Sequence, residues 1–285
     1  MANVPEFKAC VAIDWSGAKG KRHKGIAIAE ARGSDPPRLV RPGHVWSREG
    51  VLDWLLKRAA EEPTLFGFDF SFAPPFAERG SYLPGEQGVP DNGRAFWGYV
   101  ERQSRDEDLG AASFLEEVHR RHFYFGIADG TKADFMHFRQ CEHAFNRMGG
   151  GKASTVFDAI GASQVAKASF SGMRLLHALS GKLPVWPFDL TPSDGSLVVE
   201  IYSRAAIRAA GLPGKKIRSL SELNGALDRL GSAPAQLDHW LTDHQTDALI
   251  TAAAMRAHLN HPQAFRPPGL TPDVARTEGW TFGVI

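Results

Sequence analysis

Three acids stand where β-strand propensity disfavours them. Asp14 ends the apolar run Val11-Ala12-Ile13, Asp69 sits between Phe68 and Phe70, and Glu200 sits between Val199 and Ile201. Strands are depleted in Asp, and an ionised carboxylate buried without a partner is costly. Each acid is therefore expected at a strand end, beside a cation or a metal. Period-two alternation puts Cys10, Ala12 and Asp14 on one face of the first strand, and Leu65, Gly67 and Asp69 on one face of the later one. As parallel neighbours, these strands would bring their acids together at their carboxyl ends. A late helix adds Asp243, His244 and Asp247, whose i,i+4 and i,i+3 spacings put them near one face. Clustered carboxylates repel unless a proton or a cation intervenes. All-oxygen ligation with at most one imidazole suits Mg²⁺ or Mn²⁺. Two such ions about 3.5–4 Å apart can activate water and stabilise the leaving oxygen in phosphodiester hydrolysis.

Each residue also has a plainer role. Asp14 before Trp15-Ser16-Gly17, and Asp69 before Ser71-Phe72, both suit turns. Glu200 suits a strand-edge acid paired with Arg204 or Arg208, and Asp243 suits a helix start, where the dipole favours it. Asp247, one turn in and beside a small-residue face, resists such a reading, and the inference rests on the set and its chain order. The basic turn Lys19-Gly20-Lys21-Arg22-His23-Lys24 is either a phosphate contact or a solvated hairpin tip. Lys215-Lys216-Ile217-Arg218 is either a substrate-backbone contact or a surface charge run. Trp15, Trp97 and Tyr99 could stack on bases, although core filling is the commoner role of aromatics. Cys141 with His137 and His143 lacks a fourth zinc ligand, and Gly149-Gly150-Gly151-Lys152 lacks P-loop spacing.

The elements that must position the acids follow from periodicity. Lys8 to Asp14 and Gly25 to Ala29 predict a β-hairpin, with a weaker third strand near Leu39 to Trp46. Glu49 to Glu62 predicts a helix stopped by Pro63, and Thr64 to Phe70 a buried strand. Ser71 to Ser154 has poor periodicity and many glycines and aromatics, and reads as an insertion or cap over the sheet edge. Val156 to Leu179 predicts one or two helices, Leu197 to Tyr202 a strand, and Arg204 to Ala210 and Leu220 to Leu230 further helices. The strongest late helix falls within Leu237 to Leu259, with Leu249, Ala252, Met255 and Leu259 as its apolar stripe. The tail from Asn260 to Arg276 is proline-rich, and Glu278 to Ile285 could add a final strand. Strands followed by helices and a further strand predict an α/β layer architecture, read as a single domain over residues 1–285 with 71–154 inserted.

Composition narrows the classes. The 285 residues carry 33 Lys+Arg against 32 Asp+Glu, a net charge of +1, which argues against attachment to nucleic acid by bulk charge alone. Two cysteines, Cys10 and Cys141, make neither a disulfide framework nor a four-thiolate zinc site, and a reduced cytoplasmic setting is the simplest expectation. Residues 1–10 do not read as a signal peptide, and no apolar run approaches the roughly 20 residues of a membrane helix.

At the acidic residues the chain resembles the ribonuclease H-like superfamily. The match runs through Ala12-Ile13-Asp14-Trp15-Ser16-Gly17, then Gly67-Phe68-Asp69, and finally His244-x-x-Asp247-Ala248, a variant similar to that of some RuvC-type Holliday-junction resolvases. The chain more closely resembles a bacterial family of predicted nucleases of that fold. The phrases carrying this likeness are Ser154-Thr155-Val156-Phe157, Val185-Trp186-Pro187-Phe188-Asp189, Val199-Glu200-Ile201-Tyr202-Ser203 and Glu278-Gly279-Trp280. Ser203 stands where that family often has proline. The resemblance implies a ribonuclease H-like mixed sheet flanked by helices, with a large insertion after the fourth strand. It implies a metal-dependent nuclease in which Asp14 and Asp69 bridge or flank the ions and Asp247 completes the ligand set. His244 would ligate or orient the attacking water, and Glu200 would be a weaker ligand. The implied cofactor is Mg²⁺ or Mn²⁺, the partner nucleic acid, and no membrane is involved. Two alternatives share the core topology: an actin-like or sugar-kinase-like ATP binder using Asp14 to Gly20 as a phosphate hairpin, and a non-catalytic binding module.

Overall fold

The first strand, β1 (Ala9–Asp14), forms because ACVAID offers small and branched residues that bury on both faces. The computed structural model describes residues 6–149, 151–160, 165–212, 216–237 and 241–285. Strand β1 pairs antiparallel with β2 (Ala27–Ala31), which pairs antiparallel with β3 (Arg38–Leu39). On its other side it pairs parallel with β4 (Thr64–Asp69), and β4 pairs parallel with β5 (Leu197–Glu200). The five-stranded mixed sheet therefore has the order β3-β2-β1-β4-β5. The parallel register sets Asp14 directly beside Asp69.

Alternation divides the core between two faces of this sheet. Ala12, Ala29, Leu65 and Val199 face α5 (Ser203–Ala209), α6 (Leu220–Arg229) and α7 (Asp243–His258). Val11, Phe66, Phe68 and Val198 face α1 (Arg48–Glu61), α2 (Gly93–Gln103) and α4 (Val165–Leu179). Helix α7 starts where Thr242 accepts from Gln245 N while Gln245 returns to the Thr242 backbone. Its alanine-rich side lies against the strands. At Gly67 a Cβ would meet Ile201 Cγ2 at 2.6 Å and Met255 Sδ at 2.7 Å, so only a bare backbone lets α7 come this close to β4.

Several boundaries differ from the sequence expectation. Helix α7 (Asp243–His258) lies within the expected range, its first turn fixed by the capping box at Thr242. The third strand is only Arg38–Leu39, and Trp46 makes a single bridge to His23. Residues 156–160 are irregular, 161–164 lie outside the described residues, and α4 then runs from Val165. The proline-rich tail contains α8 (Pro272–Thr277), started by Thr271 with proline in its first turn. The expected final strand is a single parallel bridge from Thr281 to Glu200.

Residues 71–154 contribute to the core beside the sheet. Tyr82, Phe96, Trp97, Phe114 and Phe123 are fully buried in the same core as Phe66 and Phe68. This segment also supplies α2, which packs in that core, and α3 (Gln140–Arg147), whose Cys141 and Phe145 lie in the core on the α7 face. Among the described residues no helix is long and apolar enough to cross a membrane.

Candidate metal centre

The parallel pair β1 and β4 ends in Asp14 and Asp69, register partners whose side chains leave the sheet on the α7 side. Helix α7 adds His244 from its exposed first turn and Asp247 one turn further in. His244 Nδ1 donates to Asp14 Oδ2 at 2.6 Å. Ser203, at the start of α5, donates to Asp69 Oδ2 through its hydroxyl and, at 3.2 Å, through its backbone N–H. Gly25 keeps the turn open here, since a Cβ would lie 3.3 Å from His244 Nε2 and 3.4 Å from Ser16 Oγ.

The electrostatics match a cluster of acids that do not all ionise together. Burial pushes the Asp69 carboxyl up to about 7, with the Asp14 and Asp247 charges adding to the rise and Ser203 opposing it. Burial also pushes Asp247 up to about 7, helped by Asp14 and Asp243. Asp14 is raised by burial against the opposing pull of His244. The hydrogen bond to Asp14 holds the His244 imidazole above its usual range. A divalent cation removes this conflict, and carboxylate oxygens with one imidazole at the margin form a donor set for Mg²⁺ or Mn²⁺. No three of these four side chains bring ligand atoms within 4.8 Å of one another.

Glu200 does not join this cluster. It pairs in register with Phe68, not Asp69, so alternation sends its carboxylate to the opposite face of the sheet. There both oxygens are occupied: Arg139 donates at 2.6 and 2.7 Å, Thr281 Oγ1 at 2.6 Å and Phe72 N at 2.7 Å. Its cation comes from residues 71–154 rather than from Arg204 or Arg208. Asp243 points to solvent and pairs with Lys216 at 2.7 Å, as suits the first residue of a helix.

The other sequence candidates have structural duties. Lys19 pairs with Glu116 at 2.7 Å, Lys21 pairs with Glu107, and His23 is buried against Asp108 at 2.8 Å. Part of the basic turn is thus paired with acids of residues 71–154, and with them Lys19 and Lys21 line a cavity of about 380 Å³. Trp15, Trp97 and Tyr99 are buried. The Cys141 thiol is buried and pushed up to about 12, which removes it as a nucleophile. Lys215 and Gly150 lie outside the described residues. Lys216, exposed and paired with Asp243, is close enough to oppose the rise at Asp247, whereas the exposed Arg204, next to Ser203 in the chain, donates to the Lys152 carbonyl at 3.2 Å. Sequence reasoning missed Ser203 as the group that fixes Asp69; its departure from proline was the available signal.

No protein-family model, curated protein or solved structure matches the chain.

Proposed function

We propose that this chain is a metal-dependent phosphodiesterase acting on nucleic acid, built on a ribonuclease H-like fold. The observation that carries the reading is the side-by-side placement of Asp14 and Asp69 at the carboxyl ends of parallel strands, on the face that carries His244 and Asp247. The sheet order β3-β2-β1-β4-β5, with β2 alone antiparallel to β1, supports the fold attribution. Asp14, Asp69 and Asp247 are the residues that would hold Mg²⁺ or Mn²⁺. Bound there, such ions supply an activated water and charge stabilisation at the leaving oxygen. Ser203 fixes the Asp69 carboxylate through two hydrogen bonds, so this donor is preorganised. His244 stays half in solvent with one ring nitrogen on Asp14, where it can carry a proton to or from the site. Arg204, next to Ser203 in the chain, and Lys216 would take phosphate oxygens of the substrate.

The test is cleavage. Purified chain with Mg²⁺ or Mn²⁺ is expected to cut DNA or RNA, and Asp14→Asn to abolish cleavage. Equal activity in the variant rejects the mechanism.

A further inference from the structure

A second group of metal-ligating side chains lies within residues 71–154, with no part in the acidic cluster. Among the described residues, Glu86, His119 and His122 alone place three ligand atoms within 4.8 Å of one another. His119 precedes and His122 ends a one-turn 3-10 helix, and Glu86 reaches them from a loop more than 30 residues earlier. His119 is buried, and its Nδ1 has no hydrogen-bond partner. Its other nitrogen, Nε2, lies 3.3 Å from Tyr99 Oη. With Nε2–H donating to that hydroxyl, the Nδ1 lone pair faces Glu86 Oε1 across 3.7 Å. This distance is too long for a hydrogen bond, so the buried Nδ1 is left without a partner among the described side chains. His122 Nε2 closes the triangle at 3.0 Å from the same oxygen.

We propose that Glu86, His119 and His122 form a binding site for a transition-metal ion of the Zn²⁺ class, with Tyr99 as the outer partner that sets the His119 tautomer. Two imidazoles and one carboxylate favour Zn²⁺ and its neighbours over Mg²⁺ or Ca²⁺. A tetrahedral ion would keep its fourth position for water. The hydrogen bond from the ligand's far nitrogen is the usual outer-shell arrangement around a metal-bound histidine. The ion would staple the Glu86 loop to the segment that follows the Phe114–Val118 π-turn. The site's one resident competitor is Arg121, whose Nε and Nη2 both reach Glu86 Oε1 at 2.9 Å. That side chain is 62% exposed and can swing into solvent when a metal neutralises the carboxylate.

The site stands apart from the nuclease reading and is tested without it. Full-length chain, stripped with chelator, is titrated with Co²⁺ and then back-titrated with Zn²⁺. One equivalent of Co²⁺ is expected to give visible ligand-field absorption, which Zn²⁺ abolishes. Glu86→Gln and His122→Gln are each expected to weaken binding by at least about a hundredfold, beyond the cost of an outer-shell loss. Both should leave the unfolding midpoint of the chelated chain close to wild type. Arg121→Ala is expected to tighten binding, a result that a purely structural ion pair would not produce. Asp14→Asn and Asp247→Asn should leave this Co²⁺ signal in place. Absent absorption, or binding unchanged by both Glu86→Gln and His122→Gln, overturns the proposal.

Discussion

Asp69 and Asp247 have carboxyls pushed up to about 7 from 3.8, because each is buried beside another acid. Between about pH 4 and pH 7 the folded chain therefore binds more protons at this pair than the unfolded chain, and stability falls as pH rises. Denaturant unfolding in chelator is expected to show this decline, and Mg²⁺ or Mn²⁺ to reverse it at pH 8. Asp247→Asn removes one of the repelling charges. It should raise metal-free stability at pH 7.5 by roughly 1–3 kcal/mol while removing activity. A flat pH profile for wild type, or a loss of stability in the variant, would count against the clustered-acid description. At this scale the sequence was informative wherever a charge interrupted an apolar run. It could not say which acid faces a metal and which faces an arginine. Glu200 interrupts its strand as conspicuously as Asp69 does, yet its cation, Arg139, lies 61 residues away in a segment with no readable period.

The elements were legible to the extent that their signals are local. The parallel approach of β1 and β4 follows from two short apolar runs separated by a helix, and the register confirms that Asp14 and Asp69 share a face. The same alternation excludes Glu200, since Val199 and Ile201 occupy the α7 face and the residue between them cannot. The start of α7 carried a local signal that the sequence reading did not use, the capping-box spacing of Thr242 and Gln245. The His119-x-x-His122 spacing was visible too, but nothing in the chain placed Glu86 beside it. Two substitutions separate position from charge. Glu200→Ala leaves Arg139 with only part of its buried partner set. It is expected to cost about 3–5 kcal/mol by denaturant unfolding, with divalent binding at Asp14 retained once the chain is folded. Gly67→Val forces Met255 and α7 away from β4. It is expected to lower both stability and cleavage, because His244 and Asp247 ride on that helix. A folded Gly67→Val variant with full cleavage would show that the α7 distance does not matter.

Across the whole molecule, residues 71–154 do more than decorate the sheet. They fill one core face with aromatics, supply Arg139 to Glu200, and pair Glu116, Glu107 and Asp108 with Lys19, Lys21 and His23 of the β1–β2 turn. Their poor periodicity hid this role, because irregular chain buries its aromatics without repeating them. The near-zero net charge means that nucleic acid would be held by a few local contacts. Arg204→Ala and Lys216→Ala are each expected to weaken binding similarly across sequences and to reduce the salt slope by about one, read from log Kd against log salt. The most direct measurement of the central claim is Mn²⁺ binding, followed by electron paramagnetic resonance, in a Glu86→Gln background that silences the second site. Mn²⁺ is expected to bind that chain and to be lost, by about a hundredfold or more in affinity, when Asp14→Asn is added. Equal Mn²⁺ affinity with and without Asp14, or no binding in either chain, would contradict a shared ion at the ends of β1 and β4.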